Sequence, residues 1–183
     1  MLLVVGDRGS GGFPGLLVGS AGLHVAAHAP CPVVVVHHGP VADGGVVVGV
    51  EGRDAEGPVL DYAFEAARRQ SLPLTVLHAW SYPLVLGPGH EVPPVYEEGH
   101  VAAEHERLLA EVLAGRRERF PDVAVTTSVV RSGAAKELVA ASAGHRLVVV
   151  GRHGEPSGPL GRLGSTSQAV VQHAHCPVAV VPV

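Results

Sequence analysis

The chain contains its own duplicate. Residues 2–36 (LLVVGDRGSGGFPGLLVGSAGLHVAAHAPCPVVVV) align with residues 147–181 (LVVVGRHGEPSGPLGRLGSTSQAVVQHAHCPVAVV) without a gap, at a constant offset of 145, and 16 of the 35 pairs are identical. Each copy reads as an apolar strand, G-x-x-G, nine residues, G-S, a short helix, then Cys-Pro and a second apolar strand. The fixed points are Gly6, Gly9, Gly19 and Ser20 in the first copy and Gly151, Gly154, Gly164 and Ser165 in the second. A glycine-rich loop between a buried strand and a helix start is where α/β proteins hold phosphate, because backbone N–H groups at the helix start lack internal partners. The repeat therefore points to a nucleotide-binding unit present once in full and once in part.

Composition narrows the class. The sequence has 183 residues, 46% of them hydrophobic and 16% charged, enough apolar content for a packed core. The net charge of −4 gives no basic field for nucleic acid or an anionic membrane. The longest apolar runs fall far short of the ~20 residues that span a bilayer, and MLLVV runs into Gly6 and Asp7 as a strand does rather than as a leader. Cys31 and Cys176 are equivalent repeat positions, each followed by Pro, and read as buried thiols in a reducing compartment rather than a disulfide.

Along the chain, residues 1–40 form a β-α-β fragment: strand 2–5, glycine loop, helix about 18–28, strand 32–37. Residues 41–44 belong to a polar, glycine-rich linker, and residues 45–183 carry a complete alternating pattern. Val46–Val50 is a buried strand. Pro58 suits a first helical turn, and Val59, Leu60, Ala63, Phe64 and Ala67 recur at helical spacing through residues 57–70. Leu74–Trp80 is the second strand, and the proline-rich stretch 81–95 a loop. A charged helix runs over about 96–119, with Val101, Leu108, Leu109, Val112 and Leu113 as its stripe. Residues 123–130 alternate as a strand near an edge. A helix at 134–143, a strand at 147–150, the second glycine loop, a helix at about 165–174 and a strand at 178–181 complete the pattern. Strands separated by helices need right-handed crossovers, so a parallel, doubly wound sheet covered on both faces follows. Both glycine-loop termini and the Glu51 turn lie at carboxyl ends of strands and can converge on one crevice.

Within that crevice, Ser165 and Thr166 open a helix with free amides and hydroxyls, and Arg152, His153 and Arg162 are nearby donors. Neither loop contains a lysine, so no G-x-x-x-x-G-K-[ST] exists; no strand is followed by G-x-G-x-x-G, and H-E-x-x-H and C-x-x-C are missing. No paired carboxylates or oriented histidine form a catalytic set. The twelve histidines read as exposed or helix-capping groups rather than metal ligands, His28 and His173 standing at helix C-termini. Trp80 and Tyr82 read as packed aromatics or a pocket mouth.

The spacing G-x-x-G, nine residues, G-[ST] after a strand resembles the ATP-binding motif of the universal stress proteins. The resemblance covers residues 45–183 as one domain, including Gly133 to Leu138 and the ending CPVAVVPV, while residues 1–40 resemble the last third of a preceding domain. The chain thus reads as a tandem protein lacking most of its first half. The resemblance implies a Rossmann-like, open five-stranded parallel sheet of order 3-2-1-4-5, with ATP, accompanied by Mg²⁺ where it binds one, between the first and fourth strands. It places adenine near Val48–Glu51, Val50 and Glu51 included, and near His78-Ala79. It places ribose and phosphates against Gly151, Arg152, Gly154, Gly164, Ser165, Thr166 and Ser167. The pattern departs at Glu51 and Arg146, where the family has Asp. The implied role is a cytoplasmic stress sensor or regulator that binds adenine nucleotide and pairs as a homodimer through the last strand, with no nucleic-acid or membrane partner. A nucleotide-free interaction module and a slow ATPase or related nucleotide-hydrolysing enzyme are the alternatives. The fragment is too small to fold alone, and its last strand is expected to pair antiparallel with Val178–Val181.

Overall fold

The computed structural model describes residues 1–6, 19–39, 42–51, 56–81, 98–152 and 163–183, apart from the side chains of residues 98–100. In chain order the described elements are β1 (Leu3–Gly6), α1 (Ser20–His28), β2 (Val33–Val36), β3 (Val46–Val50), α2 (Gly57–Gln70), β4 (Leu74–Trp80), α3 (Glu98–Arg119), β5 (Val125–Arg131), α4 (Ala134–Ser142), β6 (Leu147–Arg152), α5 (Ser165–His173) and β7 (Val178–Pro182). All seven strands join one sheet, ordered β1-β2-β7-β6-β3-β4-β5.

Strands β3 to β7 are mutually parallel, and in their own chain order they lie 3-2-1-4-5, as expected. The fragment is not a separate appendage. β2 pairs antiparallel with β7, and β1 pairs parallel with β2, so the sheet has seven strands rather than five. The last strand therefore has neighbours on both edges within the chain, and it leaves no free edge for a second copy. The expected homodimer through that strand is corrected by this occupancy.

The β2–β7 register carries the repeat's symmetry. Val34 pairs with its own repeat twin Ala179, while Val33 pairs with Val180 and Val35 with Val178. Exchanging twins maps these pairs onto one another, so an approximate twofold axis crosses the sheet at Val34–Ala179. The same register sets Cys31 and Cys176 beyond opposite ends of the paired strands, and both are buried free thiols.

Interior strands are apolar at every position because both sheet faces are covered. On one face Val47, Val148, Val150, Val178 and Val180 pack with Leu23 of α1, Leu138 of α4 and Val170 and Val171 of α5. On the other, Val46, Val48, Leu147, Val149, Ala179 and Val181 pack with Val59, Leu60 and Phe64 of α2 and Leu109 and Leu113 of α3. Pro58 lies in the first turn of α2, and Ser71 ends that helix at φ 52°. Leu108, read as part of the α3 stripe, is exposed; the buried pair is Leu109 and Leu113, one helical turn apart. Arg116 of α3 ties that helix to α2 through Asp61 at 3.0 Å. No helix among the described residues is long and apolar enough to cross a membrane.

Gly44 leads into β3 against other backbone: a Cβ there would lie 1.8 Å from the Gly144 carbonyl oxygen. Backbone cannot step aside as a flexible side chain can, so Gly44→Ala should lower stability by about 1–3 kcal/mol, read as an earlier urea midpoint. Burial pushes the Cys176 thiol up from 9.0 to about 11, against a smaller opposing effect of a backbone hydrogen bond at Val148. A group harder to ionise folded than unfolded contributes stability that is whole below pH 9 and is lost as pH rises through 11. Urea titrations across that window should show a decline that Cys176→Ala reduces.

Candidate functional site

A cleft of about 130 Å³ opens at the carboxyl ends of β3 and β6. These neighbours lead away from each other: β3 continues through α2 to β4 on one side, and β6 through α5 to β7 on the other. Such a reversal of winding leaves a gap at the strand ends.

One wall is built from helix starts. α5 is preceded by Gly164 (φ −60°, ψ 155°), which offers no side-chain cap, and the Gln168 N–H makes the helix's bond back to the Gly164 carbonyl at 2.8 Å. The amides of Ser165, Thr166 and Ser167 precede that bond and have no acceptor within the helix. All three residues, with Gly164 and Gly151, line the cleft. α4 adds a second start: Gly133 stands before it without a side-chain cap, and Ala134 lines the same cleft. Two positive helix ends thus face one space.

The facing wall is acidic. Glu51 and Glu56 both line the cleft, and the buried Glu56 carboxylate accepts the Glu51 N–H at 2.5 Å. Between the walls lie Gly49, Val50, Leu77, Ala79, Leu138 and Val150. Gly49 is what lets α4 sit so close, because a Cβ there would come within 2.6 Å of Leu138 Cδ1. A donor-rich wall, an acceptor-rich wall and an apolar back can sort a ligand into anionic, hydroxylic and flat apolar parts.

Behind the back wall, His78 is buried and its Nδ1 lies 3.0 Å from the Val50 carbonyl oxygen. A carbonyl only accepts, so that nitrogen donates, and His78 Nε2 lies 2.9 Å from His105 Nδ1. His105 stacks on Trp80 with ring centroids 5.2 Å apart. Burial, and then the neighbouring His78, hold the His105 ring below its usual pKa despite an opposing pull from Glu104. Trp80 is thus a packed aromatic, outside the cleft lining.

The structure brings together Val50, Glu51, Ala79, Gly151, Gly164, Ser165, Thr166 and Ser167. Arg152 does not join them: its Nη1 donates to the Ala29 carbonyl at 2.6 Å, at the end of α1. That bond ties the domain to the fragment. Ser167 is buried, and its Oγ donates to the Gly151 carbonyl at 2.6 Å, so its hydroxyl fastens α5 to β6. Gly154, His153, Arg162 and Tyr82 lie outside the described residues. β1 runs opposite to β6, so Gly6 ends its strand at the other end of the sheet. Among the described residues, the crevice is lined by the second glycine motif and not by the first. Gly49 falls within the expected Val48–Glu51 stretch; Glu56, Leu77, Ala134, Leu138 and Val150 were missed. Leu77 was within reach, since residues two apart on a strand share a face with Ala79. Among the described residues no three His, Cys, Asp or Glu side chains gather to hold a metal ion.

Removing the Ser167 hydroxyl leaves a buried carbonyl without its donor. Ser167→Ala should lower the unfolding free energy by about 1–3 kcal/mol, measured by urea denaturation.

The model of the universal stress protein family matches residues 1–37 and 45–182. Universal stress protein Rv2623 of Mycobacterium tuberculosis is 41% identical over 189 residues, which cover 98% of this chain and 61% of that protein. The chain thus spans about three fifths of the length of such curated relatives. A crystal structure of a universal stress protein from Archaeoglobus fulgidus superposes with a TM-score of 0.66 at 20% identity, covering 99% of this chain and 60% of that one. A second structure from Archaeoglobus fulgidus, a universal stress protein in complex with dAMP, superposes with a TM-score of 0.54 at 22% identity over 75% of this chain and 97% of that one.

Proposed function

The chain belongs to the universal stress protein family, and from that premise we propose that its cleft binds an adenine nucleotide, ATP, and that the protein acts as a nucleotide-responsive sensor rather than as a catalyst. The observation that carries this reading is the convergence of two uncapped helix starts, at Ala134 and at Ser165–Ser167, on the gap between β3 and β6. Free amides at a helix start, with the helix dipole behind them, select phosphate without needing a lysine. The base would lie against Val50, Leu77 and Ala79, and the ribose hydroxyls toward Glu51. The phosphates would meet Gly151, Gly164, Ser165 and Thr166, with Gly154 following from the glycine spacing. The dAMP complex of a family member supports an adenine nucleotide as the ligand class. Triphosphate preference rests on the glycine motif. Mg²⁺ would arrive with the phosphates, since the described residues form no resident cation cluster. A cytoplasmic setting suits two cysteines that remain free thiols.

A nucleotide-free interaction module is the second reading. The cleft's ≈130 Å³ favours it, being below the ~300–1,000 Å³ of typical ligand pockets.

Gly164→Val separates the two. Gly164 has φ −60° and ψ 155°, which valine adopts without strain, so the change crowds the cleft and spares the backbone. Calorimetry should show ATP binding to the parent protein and at least about tenfold weaker binding, a loss of about 1.4 kcal/mol, to the variant, with the thermal midpoint kept. No heat from the parent with ATP or AMP selects the module.

A further inference from the structure

The twin helices α1 and α5 differ in one chemical respect. By the offset of 145, His28 is the twin of His173, and each is the last residue of its helix. His24 has no histidine twin; Ala169 stands in its place. α1 therefore carries His-x-x-x-His, whereas α5 carries one histidine at the matching end.

Residues four apart lie one above the other on a helix face. The two rings follow that rule. They stack with centroids 4.2 Å apart and planes inclined by 26°, and both residues are exposed. His28 Nδ1 lies 2.9 Å from the His24 carbonyl oxygen. A carbonyl only accepts, so that nitrogen donates, and a neutral His28 ring keeps its lone pair on Nε2. Tying one ring nitrogen to a carbonyl is how ligating histidines are oriented toward a metal. His28, read from the sequence as a helix-capping group, does meet a carbonyl, and the same bond prepares its other nitrogen.

We propose that His24 and His28 form a chelating site for a transition-metal dication of the Cu²⁺, Ni²⁺ and Zn²⁺ class, apart from the nucleotide cleft. Metal–nitrogen bonds of about 2.0–2.1 Å set two ligands of one ion about 3 Å apart. Rings stacked at 4.2 Å reach that range by side-chain rotation alone. Imidazole suits these ions, whereas Mg²⁺ and Ca²⁺ take oxygen. The remaining positions on the ion fall to water, since among the described residues no third His, Cys, Asp or Glu side chain joins the pair. A helix C-terminus favours a cation, but Arg152 already holds the Ala29 carbonyl there, so the imidazole pair must carry the affinity. Neither histidine lines the cleft. Access belongs to these positions in the fold: in the second copy, with α4 packed against α5, His173 is still exposed and Ala169 only half-buried.

The test titrates the full chain, free of nucleotide, with cupric chloride and with zinc chloride. Substoichiometric Cu²⁺ should broaden the NMR ring signals of His24 and His28 first and leave those of His173 sharp, because His173 has the same helix position without the partner. Calorimetry should show Zn²⁺ binding that His24→Ala weakens at least about tenfold, the chelate being reduced to a single ligand. His173→Ala should leave that binding unchanged. His24→Ala gives α1 the residue that α5 already has at the matching place, and the position is exposed, so the thermal midpoint without metal should hold. Broadening of His173 in step with His24 and His28 overturns the proposal, since single imidazoles would then suffice. So does Zn²⁺ binding by His24→Ala with the parent's affinity, or a parent chain that takes up neither ion.

Discussion

The adjacency of β3 and β6 is the constraint on which the rest of the structure depends. Residues 101 positions apart in sequence meet as Val46–Leu147, Val47–Val148 and Val48–Val149, and all six are buried. That pairing is possible only if both strands are apolar on both faces, because α2 covers one side and α4 with α5 the other. It also makes the chain depart from the two strands in opposite directions, and the cleft is the space left between those departures. The helix starts at Ala134 and Ser165 are aimed there by topology.

The β2–β7 pairing is the second seam. It joins a piece too small to bury its own surface to a domain that already has a complete strand order. Val33, Val35, Val178 and Val180 are nearly inaccessible to solvent along this seam, and hydrophobic burial of this kind is the dominant favourable term in folding. Arg152 reinforces it from the cleft side by holding the end of α1. The β6 terminus thereby has two connections: Gly151 to α5 through Ser167, and Arg152 to the fragment.

The sequence made the element order legible because period and punctuation are local: valine runs, Pro58, the glycines, and the Cys-Pro pairs. The resemblance supplied the strand order, which periodicity alone does not specify. The glycine motif also singled out Gly151, Gly164 and Ser165, which line one cleft. What escaped was set by long-range packing. The direction of Arg152 depends on Ala29, which lies in the other repeat copy. Glu56 and Leu138 enter the lining because the turn after β3 and the seating of α4 on Gly49 bring them there, and neither leaves a period in the sequence. The antiparallel pairing of the fragment's last strand with Val178–Val181 did not escape: it is observed as β2–β7, and together with β6 it fills both edges of β7. Leu108 had the right composition and the wrong angle on its helix.

The reversed direction of β1 and β2 has a consequence for how the two copies can change. Each glycine motif follows the carboxyl end of its own strand, and those ends point to opposite rims of the sheet. The duplicates are therefore set apart at their strand ends: Gly6 closes β1 at one rim of the sheet and Gly151 lies in β6 at the other. Duplication here sets the same strand ending at both rims of one sheet.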